Sequence, residues 1–261
     1  MGVVNVTSDS FSDGGRFLDH GAALAHARRL IAEGADIVDI GGESTRPGAE
    51  PVSEADEVTR VTPLIVALRA ESGVPISVDT MKPGVAAAAC AVGATMWNDV
   101  TALGWSAESL ETAAEIGCEV VLMHMRGEPR TMQAAPRYND VVAEVAAYLA
   151  ARAEAAIAAG VARGRIWLDP GIGFGKTAEH SLALMRNLDR VVALGFPVLV
   201  GASRKSSIAR IAGDASTADR RLGGSIAMAL AAARAGAAAV RVHDVAETRQ
   251  ALAVAEAIGQ A

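Results

Sequence analysis

Aromatic side chains are scarce in this chain of 261 residues, at 3%. The core must therefore be packed with Ala, Val, Leu and Ile, within a hydrophobic content of 51% that is ample for a large domain. Lysine is scarcer still, since of 24 basic residues only Lys82, Lys176 and Lys205 are lysines. In a chain that otherwise spends arginine, these three gain weight as specific amines, although Lys82 alone reads more plainly as a surface lysine. The only two cysteines, Cys90 and Cys118, lie in apolar helix- and strand-like segments without metal-type spacing. They read as buried thiols in a reducing compartment. Positive charge is not in excess. The net charge of −6 leaves no basic stripe for nucleic acid, though Arg204-Lys205 could bind a small anion. Long apolar runs and targeting segments are missing too, which places the chain in the cytoplasm and off the membrane. A myristoylation signal is excluded because Val6 stands where it wants Ser or Thr.

What the chain does have is a recurrence. Short β-branched runs end in polar or glycine-rich clusters: Val3-Val4-Asn5 before Thr7 to Gly15, Ile37-Val38-Asp39-Ile40 before Gly41 to Gly48, then Ser77-Val78-Asp79, Trp97-Asn98-Asp99, Met123-His124-Met125-Arg126-Gly127, Leu168-Asp169-Pro170-Gly171, Gly201-Ala202-Ser203-Arg204-Lys205 and Arg241-Val242-His243-Asp244. Packing alone gives no reason to stack polar groups on one end of successive strands, whereas a pocket built from loops at one face does. The chain is read as an enzyme.

Strands are expected near 3–6, 36–40, 75–78, 95–98, 119–124, 166–169, 197–200 and 239–242. Helices are expected near 21–34, 54–71, 83–92, 107–116, 139–160, 179–194, 219–235 and 245–258. About eight βα units predict a closed (β/α)₈ barrel of the α/β class, one domain over 1–261. An open doubly wound sheet is the runner-up, but it concentrates function at one switch point and needs few functional loops. The helix from Asp140 to Ala159, with Glu144, Arg152 and Glu154 on one side, reads as scaffold.

The run Asp169 to Thr177 fails as a phosphate-binding P-loop, because Pro170 stands where that motif needs a glycine. It remains a flexible loop opened by a carboxylate, and Asp169 is as readily a turn residue as a ligand. Asp79, Asn98 and Asp169 fall at strand ends facing one cavity. Carboxylates with an amide suit a neutral heterocycle with adjacent N–H donors. They also suit a metal, though no spacing marks a dedicated cage, which leaves Mg²⁺ held by one or two protein oxygens and substrate phosphates. Arg241 and His243 alternate on the last strand and share a face, so with Asn5 on the neighbouring strand they form an anion site. His124 reads as a supporting residue behind the site.

Together, Asn5 to Gly15, Gly42 to Gly48, Ser77-Val78-Asp79-Thr80, Asp169 to Lys176 and Ser203-Arg204-Lys205-Ser206 resemble the dihydropteroate synthase family, from Met1 to about Val245 and in family order. The resemblance implies a transferase of folate synthesis that joins p-aminobenzoate to 6-hydroxymethyl-7,8-dihydropterin pyrophosphate. It implies catalytic roles for Asp79, Lys205 and Arg241, and a pterin site of Asp79, Asn98, Met123, Asp169, Lys205 and Arg241. Asn5, Arg241 and His243 would hold pyrophosphate, with Asn5 also on Mg²⁺. Phe11, Thr45, Pro47, Phe174, Lys205 and Ser206 would form the p-aminobenzoate pocket, open to sulfonamides. Asp13, Ser44 and Arg46 would order the first two loops as they close, and a homodimer is implied.

Two departures from that family carry expectations. Ser8 replaces its usual Pro and should matter little. The chain starts almost inside its first strand, where the family usually carries a segment covering the barrel's bottom, so stability is expected to suffer before chemistry does. A pterin-binding methyltransferase shares the barrel but has no use for an arylamine pocket, and a catalytically dead relative would bind pterin without turnover.

Overall fold

Strand and helix alternate along the computed structural model, which describes residues 1–6, 16–44, 50–128, 131–214 and 217–259. Six parallel strands form one sheet in chain order: β1 (Gly2–Asn5), β2 (Val38–Gly41), β3 (Ile76–Asp79), β4 (Met96–Asp99), β5 (Glu119–Met123) and β6 (Ile166–Asp169). A two-residue β7 (Leu199–Val200) pairs only with β8 (Ala239–Val240). Single parallel bridges from Leu168 to Val198 and from Gly2 to Val242 join the two sheets into a ring. The result is the expected closed (β/α)₈ barrel, with its weakest ladders on either side of β7 and β8.

Around it lie α1 (Arg16–Ala32), α2 (Glu54–Glu71), α3 (Pro83–Ala91), α4 (Ser109–Ile116), α5 (Val141–Ala158), α6 (Ala178–Arg186), α7 (Asp189–Val192), α8 (Ser206–Ala212), α9 (Leu222–Arg234) and α10 (Val245–Ala257). Local chemistry fixes several starts. Ser53 accepts the Asp56 N–H before α2, Asp140 accepts those of Val142 and Ala143 before α5, and Thr177 with His180 forms a reciprocal cap on α6.

Two helices depart from expectation. The segment 179–194 is broken, because Asn187 turns its amide back onto the Ala183 carbonyl at 2.8 Å and ends α6. The helix expected at 219–235 begins only at Leu222, and α8, with seven residues, is too short to show a period in sequence.

The alternation of side chains along each strand divides the core. Val4, Val38, Ile40, Ile76, Val78, Trp97, Val120, Leu122, Ile166 and Leu168 point outward and are buried in the main core cluster shared with the helices. Inward positions change character along the barrel. At the lower end Met1, Met96, Val121 and Leu199 pack with Ile37, Trp167 and Ala239 into an apolar plug. Two or four residues further on, the inward positions are Asn5, Asp39, Asp79, Asn98, Asp169 and Arg241. The plug closes the bottom, and the polar layer above it is left to the loops.

Candidate active site

Register puts the polar layer together. Asn5 pairs with Gly41, Gly41 with Asp79 and Asp79 with Asn98, so three polar side chains stand side by side around a glycine. A methyl on Gly41 would lie 3.5 Å from Asp79 Cβ and 3.8 Å from Asn5 Oδ1. Across the barrel, a methyl on Gly201 would lie 3.8 Å from Asp169 Oδ2 and 3.9 Å from Arg241 Cβ. Both glycines keep open a space that a side chain would fill.

Arg241 spans this space. Its Nε donates to Asp39 Oδ2 at 2.5 Å and its Nη2 to Asp79 Oδ2 at 2.7 Å. Burial opposes the guanidinium charge, but Asp39 and Asp79 outweigh that and raise its pKa above the ordinary value. Asn98 donates to the same Asp39 oxygen at 3.3 Å. Asp39 is fully buried, and its Oδ1 has no hydrogen-bond partner among the described residues. Burial pushes the Asp79 carboxyl up, against the pull of Arg241.

Asp169 uses one oxygen for the turn and leaves the other toward the cavity. Its Oδ1 accepts the Gly171 N–H at 2.7 Å, fixing the turn, while Oδ2 is the atom that faces Gly201. Burial pushes this carboxyl up to about 6, although the Gly171 N–H, Lys205 and Lys176 pull it down. The loop that follows needs its glycines for close approach. Gly171 at φ 67° and Gly175 at φ 60° sit where an added methyl would overlap the carbonyl oxygens of His124 and Arg126.

Lys205 rests with its Nζ 4.0 Å from the centre of the Phe174 ring. Burial and the nearby Arg241 pull its ammonium down to about 8, with Asp169 opposing. Its approach is set by Arg204, a non-glycine residue at φ 57°. That backbone costs about 1–3 kcal/mol and is held from several sides. The Arg204 N–H reaches Ser225 Oγ at 2.9 Å, its carbonyl accepts from Arg221, and its guanidinium forks onto Asp244. Ser206 opens α8 and is exposed. Met123, with Met81 and Val100, forms an apolar wall that also touches Phe174.

His243 shares a hydrogen with Ser203 Oγ at 3.0 Å, and burial with Arg241 and Arg204 pulls its pKa down to about 4. It is neutral at pH 7 and meets an anion as a hydrogen-bond partner before it can carry charge. Among the described residues no group of three His, Cys, Asp or Glu could cage a metal. Asn5 offers a single amide oxygen, which fits a magnesium ion carried mainly by phosphate oxygens and water.

The structure thus gathers Asn5, Asp79, Asn98, Met123, Asp169, Phe174, Lys205, Arg241 and His243 at the barrel mouth. Ser44 sits at the base of the second loop. Phe11, Asp13, Thr45, Arg46 and Pro47 lie outside the described residues. One inward-facing charge was missed, and Lys176, singled out in the sequence as a specific amine, finds its partners here. Asp39 could have been found by parity, since a charged residue one alternation below Gly41 must point inward. Lys176 is buried, with its Nζ among His124 and Phe174 acceptors.

One plainer reading is corrected. Lys82 is no surface lysine, because its buried Nζ sits between Glu43 and Glu57, 2.5 Å from the latter. Within the scaffold helix α5, Arg152 donates to the carbonyls of Ala102 and Leu103 at 2.7 and 2.9 Å.

A family model described as a pterin binding enzyme matches residues 1–243. A dihydropteroate synthase of Neisseria meningitidis serogroup B (strain ATCC BAA-335 / MC58) is 52% identical over 266 residues, 99% of this chain and 92% of that protein. The dihydropteroate synthase of Xanthomonas albilineans, solved with 4-aminobenzoic acid, superposes with a TM-score of 0.93 at 49% identity, covering 100% of this chain and 92% of that one. That of Yersinia pestis, solved with a sulfonamide drug, gives 0.93 at 43% identity, covering 100% and 94%. No described helix is long and apolar enough to cross a membrane.

Proposed function

We infer the chemistry of the site from a settled premise, that the chain belongs to the pterin-binding enzyme family and within it to the dihydropteroate synthases. The enzyme is a transferase that condenses 6-hydroxymethyl-7,8-dihydropterin pyrophosphate with p-aminobenzoate, giving 7,8-dihydropteroate and pyrophosphate. The observation that carries the residue roles is the pairing of Arg241 with Asp39 and Asp79 opposite Asp169, across the space kept by Gly201.

The free Asp169 oxygen accepts from the pterin's 2-amino group and N3–H, with Asn98 beside it, and Lys205 donates to the ring's carbonyl edge. Met123 lies against the ring. The methylene C–O bond then breaks, its electron pair leaves with the diphosphate, and the dihydropterin delocalises the cation left behind. Asp79 stabilises that cation electrostatically. Arg241 and Asn5 receive the diphosphate, and His243 supplies a neutral donor that gains a proton as negative charge accumulates. Magnesium, held by Asn5 and the diphosphate oxygens, would supply further neutralisation. The arylamine nitrogen attacks the methylene, forms the C–N bond and loses its proton to water. Phe174, Lys205 and Ser206 line the arylamine side, together with Phe11, Thr45 and Pro47, while Asp13, Ser44 and Arg46 order the loops. The enzyme works in the cytoplasm as a homodimer, a setting that suits the free thiols of Cys90 and Cys118.

The test is pyrophosphate release from the pterin diphosphate with Mg²⁺, with and without p-aminobenzoate. Release coupled to dihydropteroate formation supports the reading. A folded protein that binds pterin and forms no product would overturn it.

A further inference from the structure

Lys176 takes no part in the steps above, yet only 3% of it is exposed. Its Nζ lies 2.8 Å from His124 Nδ1, 3.1 Å from the His124 carbonyl and 3.0 Å from the Phe174 carbonyl. A lysine ammonium has three protons to donate and no acceptor, so three acceptors saturate it. Burial pulls Lys176 down to about 7, so below that pH, where Asp169 titrates, it is an ammonium that donates to a neutral His124 Nδ1. His124 is held in that form, because burial and then Lys176 pull its pKa down to about 3. Its ring also stands edge-on to Tyr148, with centroids 4.9 Å apart.

Gly171 separates Lys176 from Asp169. Its N–H is donated to Asp169 Oδ1 at 2.7 Å, and a methyl on its Cα would lie 3.3 Å from Lys176 Nζ. We propose that Lys176 is a positioning residue for pterin recognition: its buried ammonium, fixed against His124 and Phe174 behind Gly171, keeps the Asp169 carboxylate ionised for the ring's paired N–H donors. Two of the three bonds, those to His124, tie the loop after β6 to the end of β5, where Met123 stands.

The groups around this pair come from five elements. Lys205 and Arg241 act on Asp169 from the ends of β7 and β8, and Arg126 acts on Lys176 from the loop after β5. Asp39 and Asp79 answer Arg241 from β2 and β3. Lys205 and Arg241 both have other partners, Phe174 and the two aspartates, whereas Asp169 is the first charge that holds the Lys176 ammonium up against its burial.

The inference rests on the dihydropteroate synthase reading, and the wild-type assay separates the two, because a wild type that makes no product fails that reading first. Lys176→Gln keeps donors and removes the charge. Its acid limb for pterin kcat/KM is expected to rise by about one pH unit. The deficit is then about fivefold near pH 6 and closes near pH 8, with the p-aminobenzoate KM moving less than the pterin KM. Lys176→Arg is expected to return the limb toward that of the wild type. A fall in pterin kcat/KM equal at all pH values, with the limb unmoved, marks a purely structural lysine and overturns the proposal. Should Lys176→Gln not fold, the chain's three lysines allow selective ¹³Cε labelling of the otherwise intact enzyme. Asp169→Asn must then lower the titration midpoint of the Lys176 resonance, and an unmoved midpoint overturns the coupling.

Discussion

Arg241 Nε sits 2.5 Å from Asp39 Oδ2, joining the last strand to the second across 202 residues of chain. Asp39 is fully buried, so its charge is tolerable only because Arg241 and the Asn98 amide answer it. Removing Asp39 takes one of two carboxylates from Arg241 and leaves Asp79 as its partner. Asp39→Ala is therefore expected to cost about 1.5–3 kcal/mol of stability, the range of a charged hydrogen bond, and to raise the pterin KM. Denaturant midpoints and steady-state kinetics check both, and a variant as stable as wild type would show the pair to be dispensable.

Asp79 shares the same guanidinium at 2.7 Å, but its task differs. If it answers charge that exists only while the methylene is cationic, its loss should appear in kcat. Asp79→Ala is expected to lower turnover by roughly 10²–10³ while pterin affinity falls far less. Single-turnover rates and equilibrium pterin binding separate the two quantities, and equal losses in both would remove the electrostatic role.

Acid should silence the site before it unfolds the protein. Burial raises Asp169 and Asp99 to about 6. The proposed mechanism needs Asp169 as an acceptor and Asp79 as a carboxylate, which burial raises to about 6 and about 7, so kcat/KM for pterin should fall as pH drops from about 7 through 6. The sign for stability is opposite. Between about 4 and 6 the folded state binds more protons at Asp169 and Asp99 than the unfolded chain does, so their contribution grows as pH falls through that window. Melting curves beside pH–rate profiles check this, and activity loss that tracks unfolding would refute it.

The barrel was legible because its periodicities are strong: eight β-branched runs, each ending in polar residues. The polar ligands were legible for the same reason, since strand ends are where the inward side chains reach the cavity. Asp39 was not read as a ligand because it stands inside its strand, one alternation below the cluster that drew attention. Lys176 stood out as a scarce amine, but its place did not, because the glycines of its loop suggested only flexibility and its partners His124 and Phe174 lie 52 and 2 residues away. Lys82 reads as a surface residue in sequence because its two carboxylates come from another strand–helix unit. Such long-range ion pairs leave no local pattern.

Strain stored beside the site has its own anchor. Ala102 and Leu103 adopt φ 53° and 60°, conformations that side chains disfavour. Asp99 accepts the N–H of Leu103 at 2.7 Å, and Arg152 takes both strained carbonyls. Arg152→Met is expected to cost about 1–3 kcal/mol. Adding Ala102→Gly should recover part of that cost, because glycine adopts the same backbone freely. A double variant no more stable than the single one would place the loss in packing rather than strain.

Phe174 and Lys205 give the final prediction, which concerns the second substrate. The Lys205 ammonium lies 4.0 Å from the centre of the Phe174 ring, so one wall of the proposed arylamine pocket is an aromatic face capped by a cation. That wall suits a flat ring carrying a negative group, a description that p-aminobenzoate and the sulfonamides share. Sulfonamides should therefore raise the apparent KM for p-aminobenzoate and leave kcat unchanged. Phe174→Leu keeps an apolar wall but loses the ring, and with it a ring–ring contact to the ligand of about 0.5–1.5 kcal/mol. It should weaken p-aminobenzoate and sulfonamide together, by about 2- to 13-fold, while leaving pterin binding near the wild-type value. Inhibition that extra p-aminobenzoate cannot relieve would place the drug outside this pocket. A variant that loses the drug and keeps full affinity for the substrate would show that the two rings rest on different walls.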